Sequence, residues 1–500
     1  MSESVPHAFS LPPIDGVAPM VVHLAAEYYP YARTGGLAEA AWGLHRYQHR
    51  RGLLSTAIVP LYRVAQKHIR SLEPLGDPYT LHFGERSETF QAWRERDPAS
   101  ETPTVFIQHD GFFDHDGIYG LAGKDFPDNH RRFSGFAAAA LAALPRITDG
   151  PVVLHAHDWH SALAAVYLRS WWGGDPWYAR IPVVMSVHNG GYQGHFGPEI
   201  IPDLGLPWSL FTPDALEWYG KTNFLKGGLT HTDVATTVSP AHSRELRTPD
   251  GGFGLQQVYQ QMGDRFTGIL NGIDLETWNP RTDEFIAAHY SRADLSGKAK
   301  CKADMQRRFG LPENPDITLI ALAGRMVTQK GLTIVVDNEA IFQSKAQFVF
   351  LGSGEQRFED AFARLRASHP ERVAFETKFS DELEHVLMAG ADIFLMPSQY
   401  EPCGLTQMRA QHYGTIPVAR RVGGLADTID DGVTGFLFDA FDERGVLGGL
   451  WRAVNEHRCP DAWMEMQRAA MTRDFGWDRV AETYLALYAQ AITHAASRRA

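Results

Sequence analysis

The second half of this chain has a rhythm that few folds can accommodate. Six short apolar runs, at residues 317–323, 347–352, 373–376, 391–396, 416–419 and 436–438, alternate with longer stretches of helical spacing. Runs so uniformly apolar suit strands buried on both faces, as in a parallel sheet with helices packed on each side. The first half shows the same rhythm, with runs at 20–26, 57–60, 104–108, 151–154, 181–187 and one ending near 240. Residues 73–96 read as a further β-rich excursion, 112–129 as an ordered loop, and 277–302 as polar and irregular. The expected fold class is therefore α/β, with two doubly wound, Rossmann-like domains. A length of 500 residues, more than one core comfortably serves, points the same way.

Open parallel sheets bind ligands beyond the C-terminal ends of their strands. Five loops in such positions carry chemistry. Arg33-Thr34-Gly35-Gly36 follows the first strand, His155-Ala156-His157-Asp158 the run at 151–154, and His188-Asn189 the run at 181–187. Arg325 and Lys330 follow the run at 317–323, and two cations can neutralise the phosphates of a departing nucleoside diphosphate. The loop after 391–396 carries Glu401, Cys403 and Gly404 before a helical stretch that opens at Leu405 and Thr406. A loop entering a helix offers free N–H groups to a phosphate, and a carboxylate accepts hydrogen bonds from sugar hydroxyls. Taken singly, each has a plainer reading: a βα turn, surface charges, a surface acid. The HxHD pattern admits a metal, but no acidic partner accompanies it, and His155 and His157 read as buried polar packing.

Several classes are disfavoured. Net charge is −12 with no long basic block, which argues against nucleic acid or an anionic membrane as partner. There is no Walker loop, no GxGxxG fingerprint and no convincing DxD site, so neither cofactor nor metal is expected. The three cysteines lack metal-ligand spacing and suit a reducing cytoplasm. Residues 1–18 lack the pattern of a secretory signal and read as a loose tail, and the apolar run 136–144 is too short to cross a bilayer.

In order along the chain stand RTGGLAEA (33–40), HAHDWHSAL (155–163), VHNGGYQGHF (187–196), NFLKGG (223–228), TTVSPAHSREL (236–246), GILNGID (268–274), GRMVTQKGL (324–332), PSQYEPCGLTQ (397–407) and ARRVGGLADTI (419–429). This ordered series resembles the bacterial glycogen synthases and plant starch synthases, retaining glucosyltransferases of glycosyltransferase family 5. The resemblance implies the GT-B fold, two Rossmann-like domains facing across a deep cleft. The expected division is a tail over 1–18, an N-terminal domain over 19–262 completed by a terminal helix over 478–497, and a C-terminal nucleotide-sugar domain over 263–477. The implied substrates are a nucleotide-sugar donor, ADP-glucose or else UDP-glucose, and an α-1,4-glucan acceptor. The resemblance makes Glu401, His188, Arg325, Lys330 and Asp158 catalytic. Glu401 would orient the glucosyl hydroxyls, His188 stabilise charge at the anomeric carbon, Arg325 and Lys330 clamp the phosphates, and Asp158 serve the acceptor side. Arg33, Gly35, Gly36, Asn271, Phe379, Cys403, Gly404, Leu405 and Thr406 would bind the donor. The chain departs from the family's usual residues at Arg33 (Lys), Glu39 (Asp), Gly190-Gly191 (Leu-Ala) and Phe379 (Tyr). These departures leave open a related glucosyltransferase using UDP-glucose or another acceptor; a weakly active glucan-binding homologue is a further reading, against which the intact set of Glu401, His188, Arg325 and Lys330 argues.

Overall fold

The computed structural model describes residues 8–97, 100–121 and 123–498. The chain forms two compact units. Of the described residues, the first takes those up to Val238, then Ser243–Gly272 and those from Trp477 onward; the second takes Ser239–His242 and Ile273–Gly476.

Among the described residues of the first unit, seven parallel strands lie in the order Phe266–Gly268, Val234–Thr237, Val183–Val187, Val152–His157, Met20–Leu24, Ser55–Pro60, Thr104–Gln108. Antiparallel Arg86–Glu95 and Leu72–Pro74 extend the far edge, and Tyr79–Phe83 pairs with Arg86–Glu95, so the excursion expected at 73–96 is a set of β-strands. The middle strands are buried throughout because helices cover both faces. One of these helices, Asn129–Ile147, is Ala-rich, and its small residues Ala137–Ala140 sit fully inside the core. On the other face lie Gly36–Arg50 and the terminal helix Trp477–Ser497, which buries Tyr484, Leu487, Tyr488 and Ala491 against Leu44, Val153 and Val184. From the central Met20–Leu24 strand the chain first builds outward on one side and later returns to add Val152–His157 on the other. The switch point falls between those two strands, and a crevice opens at such a point.

The second unit holds six parallel strands in the order Val373–Glu376, Gln347–Leu351, Leu319–Ala323, Ile393–Met396, Ile416–Arg420, Phe436–Phe438. Its switch point lies between Leu319–Ala323 and Ile393–Met396.

Four expectations change. Of the expected tail, residues 1–7 lie outside the described residues, while Phe9, Leu11 and Ile14 are buried among the side chains of the first helix and the terminal helix. The strand Phe266–Gly268, which the expected boundary at 263 assigns to the second domain, instead ends the first sheet. Phe266–Gly268 pairs with Val234–Thr237, anchored by Phe266 packing on Tyr259. The loop expected at 112–129 contains one short β-pair, Gly120–Leu121 with Lys124–Asp125, and the stretch read as irregular runs into a helix, Ser296–Arg308. That helix was concealed because its buried face uses lysine stems. Lys298 Nζ donates to Ala389 O at 2.9 Å and Thr415 Oγ1 at 2.7 Å, and Lys302 pairs with Asp392 at 2.7 Å.

Candidate active site

In the second unit, the loops after Leu319–Ala323 and Ile393–Met396 meet at the switch point. Their contact depends on backbone approach that a side chain would block. Gly331 has φ 69°, and a Cβ there would overlap the carbonyl oxygen of Pro397. On the far side Gly423 has φ 44°, and its Cβ would overlap the carbonyl oxygen of Glu401. Backbone hydrogen bonds tie the same places: Gln399 N donates to Gln329 O at 2.8 Å, and Gly424 N to Glu401 O at 3.0 Å. Ser239 Oγ donates to Pro402 O at 2.7 Å, and buried Gln407 Nε2 donates to Cys403 O and Gly404 O, each at 2.9 Å.

A loop held this firmly fixes its carboxylate. Glu401, only 6% exposed, accepts from Lys330 Nζ at 2.6 Å and from Ser398 Oγ at 3.0 Å. Among the described residues both bonds fall on Oε2, so Oε1 is the oxygen available to a hydroxyl donor. Arg325 is exposed on the same loop as Lys330. Cys403 is buried, and Gly404, Leu405 and Thr406 are half-buried at the entry of the Thr406–His412 helix. Phe379 is 41% exposed after the edge strand Val373–Glu376, at the same end of the sheet. The structure thus gathers Lys330 with Glu401 in direct contact, with Arg325 and the 403–406 segment on the same two loops. Ser239, Ser398 and Gln407 hold the group in place, and the sequence reading gave them no part.

The first unit has its own group at its own switch point. Asp158 opens the Asp158–Ser170 helix directly after the Val152–His157 strand, with φ 57°, a left-handed conformation that Asp tolerates better than most residues. Its Oδ1 accepts from His188 N at 2.7 Å and Asn189 N at 3.4 Å, so it shapes the loop that carries His188. Burial pushes this carboxyl up to about 7, although those two N–H groups act the other way. Burial lowers His188 to about 3, which keeps its imidazole neutral at physiological pH.

The Arg33–Gly36 loop is organised by a residue that sequence reading passed over. Glu27 accepts from Thr34 N at 2.6 Å, Thr34 Oγ1 at 2.7 Å, Gly35 N at 3.1 Å and Tyr119 Oη at 2.7 Å. Its position at the end of the first strand was the available signal. Gly35 is extended and Gly36 begins the helix. Arg33 Nη2 lies 3.3 Å from Glu39 Oε1, so two of the departures from the family pattern touch each other. Asn271 is buried in the segment after Phe266–Gly268, within this first unit.

Behind His188 runs a buried polar chain. His23, His155, His157 and Ser186 occupy alternate positions on neighbouring strands and therefore share a sheet face. His188 Nε2 is 2.9 Å from His157 Nδ1, His157 Nε2 is 3.2 Å from His23 Nδ1, and His23 Nε2 is 3.0 Å from Gln48 Oε1. Gln48 Nε2 donates to Tyr488 Oη at 3.2 Å, which lies 2.9 Å from His155 Nδ1; His155 Nε2 is 2.7 Å from Ser186 Oγ. His23, His155 and His157 bring ring nitrogens within 4.8 Å of one another, as a metal site would. Both nitrogens of each ring are engaged in this hydrogen-bonded chain, which suits the set to a polar network.

Comparison with known proteins gives the family and the fold. Residues 20–261 match the starch synthase catalytic domain, and residues 304–458 match glycosyl transferases group 1. The chain is 41% identical to the glycogen synthase of Syntrophotalea carbinolica over 94% of its own length and 98% of that protein's. To the glycogen synthase of Thermotoga maritima it is 37% identical, over 94% and 99%. Among solved structures, the catalytic domain of starch synthase IV from Arabidopsis thaliana, bound to ADP and acarbose, superposes with a TM-score of 0.86 at 32% identity. That match covers 95% of this chain and 99% of that one. The sucrose-phosphate synthase of Thermosynechococcus elongatus shares the fold, with a TM-score of 0.60 at 18% identity over 95% and 99% of the two chains. The two Rossmann-like units are those of the GT-B fold, and the chain belongs to the glycogen and starch synthase family of glycosyltransferases.

Proposed function

We propose that this glycogen synthase homologue takes ADP-glucose as its donor and extends the non-reducing end of an α-1,4-glucan with retention of configuration. The observation that carries the reading is the Lys330–Glu401 pair at the switch point of the second unit. It sets a phosphate-type cation beside a sugar-type carboxylate, the pairing a nucleotide-sugar requires. ADP as the nucleotide is supported by the starch synthase IV structure, which was solved with it.

In this reading Arg325 and the remaining protons of Lys330 neutralise the diphosphate as the bond from the anomeric carbon to its oxygen breaks. The acceptor hydroxyl attacks from the side the nucleotide leaves, its oxygen bonding the anomeric carbon and its proton passing to the departing phosphate. Glu401 Oε1 holds glucosyl hydroxyls, and Thr406 with the 403–405 backbone borders the phosphates. His188 faces the developing positive charge as a neutral imidazole and so adds no repulsion. Phe379 stacks on the base, Arg33, Gly35, Gly36 and Asn271 contact the donor, and Asp158 orders the acceptor side through its hold on the His188 loop. Cys301, Cys403 and Cys459 form no disulfide among the described residues, in accord with a cytoplasmic setting.

The test is glucose incorporation into glycogen from radiolabelled ADP-glucose and UDP-glucose at equal concentration. Preferential incorporation from ADP-glucose supports the donor assignment. Preferential incorporation from UDP-glucose replaces it, and incorporation from neither contradicts the reading.

A further inference from the structure

We infer that His157, His23 and Gln48 are positioning residues that fix the tautomer of His188, placing its proton on Nε2 and presenting Nδ1 as a bare acceptor to the sugar. The chain of bonds has a direction. Gln48 turns its amide Nε2 toward Tyr488 and its oxygen toward His23, at 3.0 Å. An oxygen accepts only, so His23 carries its proton on Nε2. Its Nδ1 is then a lone pair, which requires a proton on His157 Nε2 across the 3.2 Å contact. His157 Nδ1 is in turn a lone pair, and it accepts from His188 Nε2 at 2.9 Å.

The scheme requires each ring to be neutral, since an imidazolium has no lone pair to pass along. Burial supplies that condition, lowering His23 to about 4 and His157 well below its ordinary value. Two elements distant in sequence hold the far end: Gln48 lies on the first helix, and Tyr488 on the terminal helix. A glucosyl hydroxyl that donates to His188 Nδ1 keeps its oxygen lone pairs free. A ring in the opposite tautomer would instead draw on those lone pairs as the anomeric centre becomes electron-poor. The assignment rests on the glucosyl-transfer reading for its catalytic meaning, while the tautomer itself can be read without substrate.

The experiment is a two-bond ¹⁵N–¹H correlation spectrum of the full chain labelled with ¹⁵N-histidine, with the His188 signals identified by their loss in His188→Gln. At pH 7.5 the expected result is a neutral His188 protonated on Nε2. A proton on Nδ1, or on both nitrogens, overturns the assignment. Gln48→Leu is the functional arm. It should mix the two tautomers and lower kcat about fivefold to tenfold, the worth of one hydrogen bond, with donor KM changed less than about twofold. A folded Gln48→Leu protein with the wild-type tautomer and kcat also overturns it. If that variant does not fold, the wild-type spectrum decides alone. Loss of glucosyl transfer with an Nε2–H His188 would count against the functional reading and leave the tautomer standing.

Discussion

Asp158 is a carboxyl group in a place hostile to its charge. Because its folded pKa is raised, between 3.8 and about 7 the folded protein retains a proton there that the unfolded chain releases. Stability from this site is therefore complete below 3.8 and is lost as pH rises toward 7. Asp158→Asn keeps an oxygen for the His188 and Asn189 N–H groups and tolerates the left-handed backbone. The Tm advantage of the variant over wild type should grow from pH 4 to pH 7 and then level off. A pH-independent difference would show that Asp158 titrates normally. Arg33 makes a second case. With Glu39 at 3.3 Å, the Lys-to-Arg and Asp-to-Glu departures form one ion pair of enlarged reach, a relation invisible while they were six positions apart in a string. Arg33→Ala should reduce kcat/KM strongly, whereas Arg33→Lys should retain a substantial part; equal values for wild type and Arg33→Ala would make Arg33 a bystander.

At the scale of the element, the site depends on loops that touch through glycine. Gly423→Ala would drive a methyl group into the Glu401 carbonyl at a backbone angle that disfavours any side chain. Strain and overpacking together should destabilise the fold by about 2–4 kcal/mol and displace the carboxylate, measurable by denaturant unfolding and by kcat. Unchanged unfolding would mean that the loop yields freely. Strands and their order of use were legible because apolar runs alternate with glycine-ended helical stretches. Val373–Glu376, Thr104–Gln108 and Phe436–Phe438 begin and end where the sequence places them. The Ser296–Arg308 helix was not legible, since a buried lysine looks like a surface lysine until its acceptors are found. The chain behind His188 was hidden for a related reason. Its members come from positions 23, 48, 157, 188 and 488, and only strand pairing and helix packing bring them together. The terminal helix carries one end of it. Tyr488→Phe should keep the helix packed while removing the hydroxyl that faces Gln48 and His155, lowering kcat more than Tm. A fall in Tm with unchanged kcat would restrict Tyr488 to packing.

At the scale of the whole molecule, candidate site residues of each unit follow the two strands that flank its switch point, where an open parallel sheet opens a crevice to ligands. An envelope with net charge −12 surrounds loops that present Arg325 and Lys330, so the cations act locally. Among the described residues no helix is long and apolar enough to cross a membrane. Family and fold were legible in the motif order, while the pairing of Lys330 with Glu401 needed coordinates, because 71 residues separate them. That pairing also supplies the most direct test of the proposed chemistry. The measurement is kcat with ADP-glucose and glycogen, alongside the Kd for ADP, in wild type and Glu401→Ala. If Glu401 acts on the glucosyl group in the transition state, kcat should fall by about 10²–10³ while ADP binding changes little. Near wild-type kcat, or a loss confined to ADP affinity, would contradict that role for Glu401.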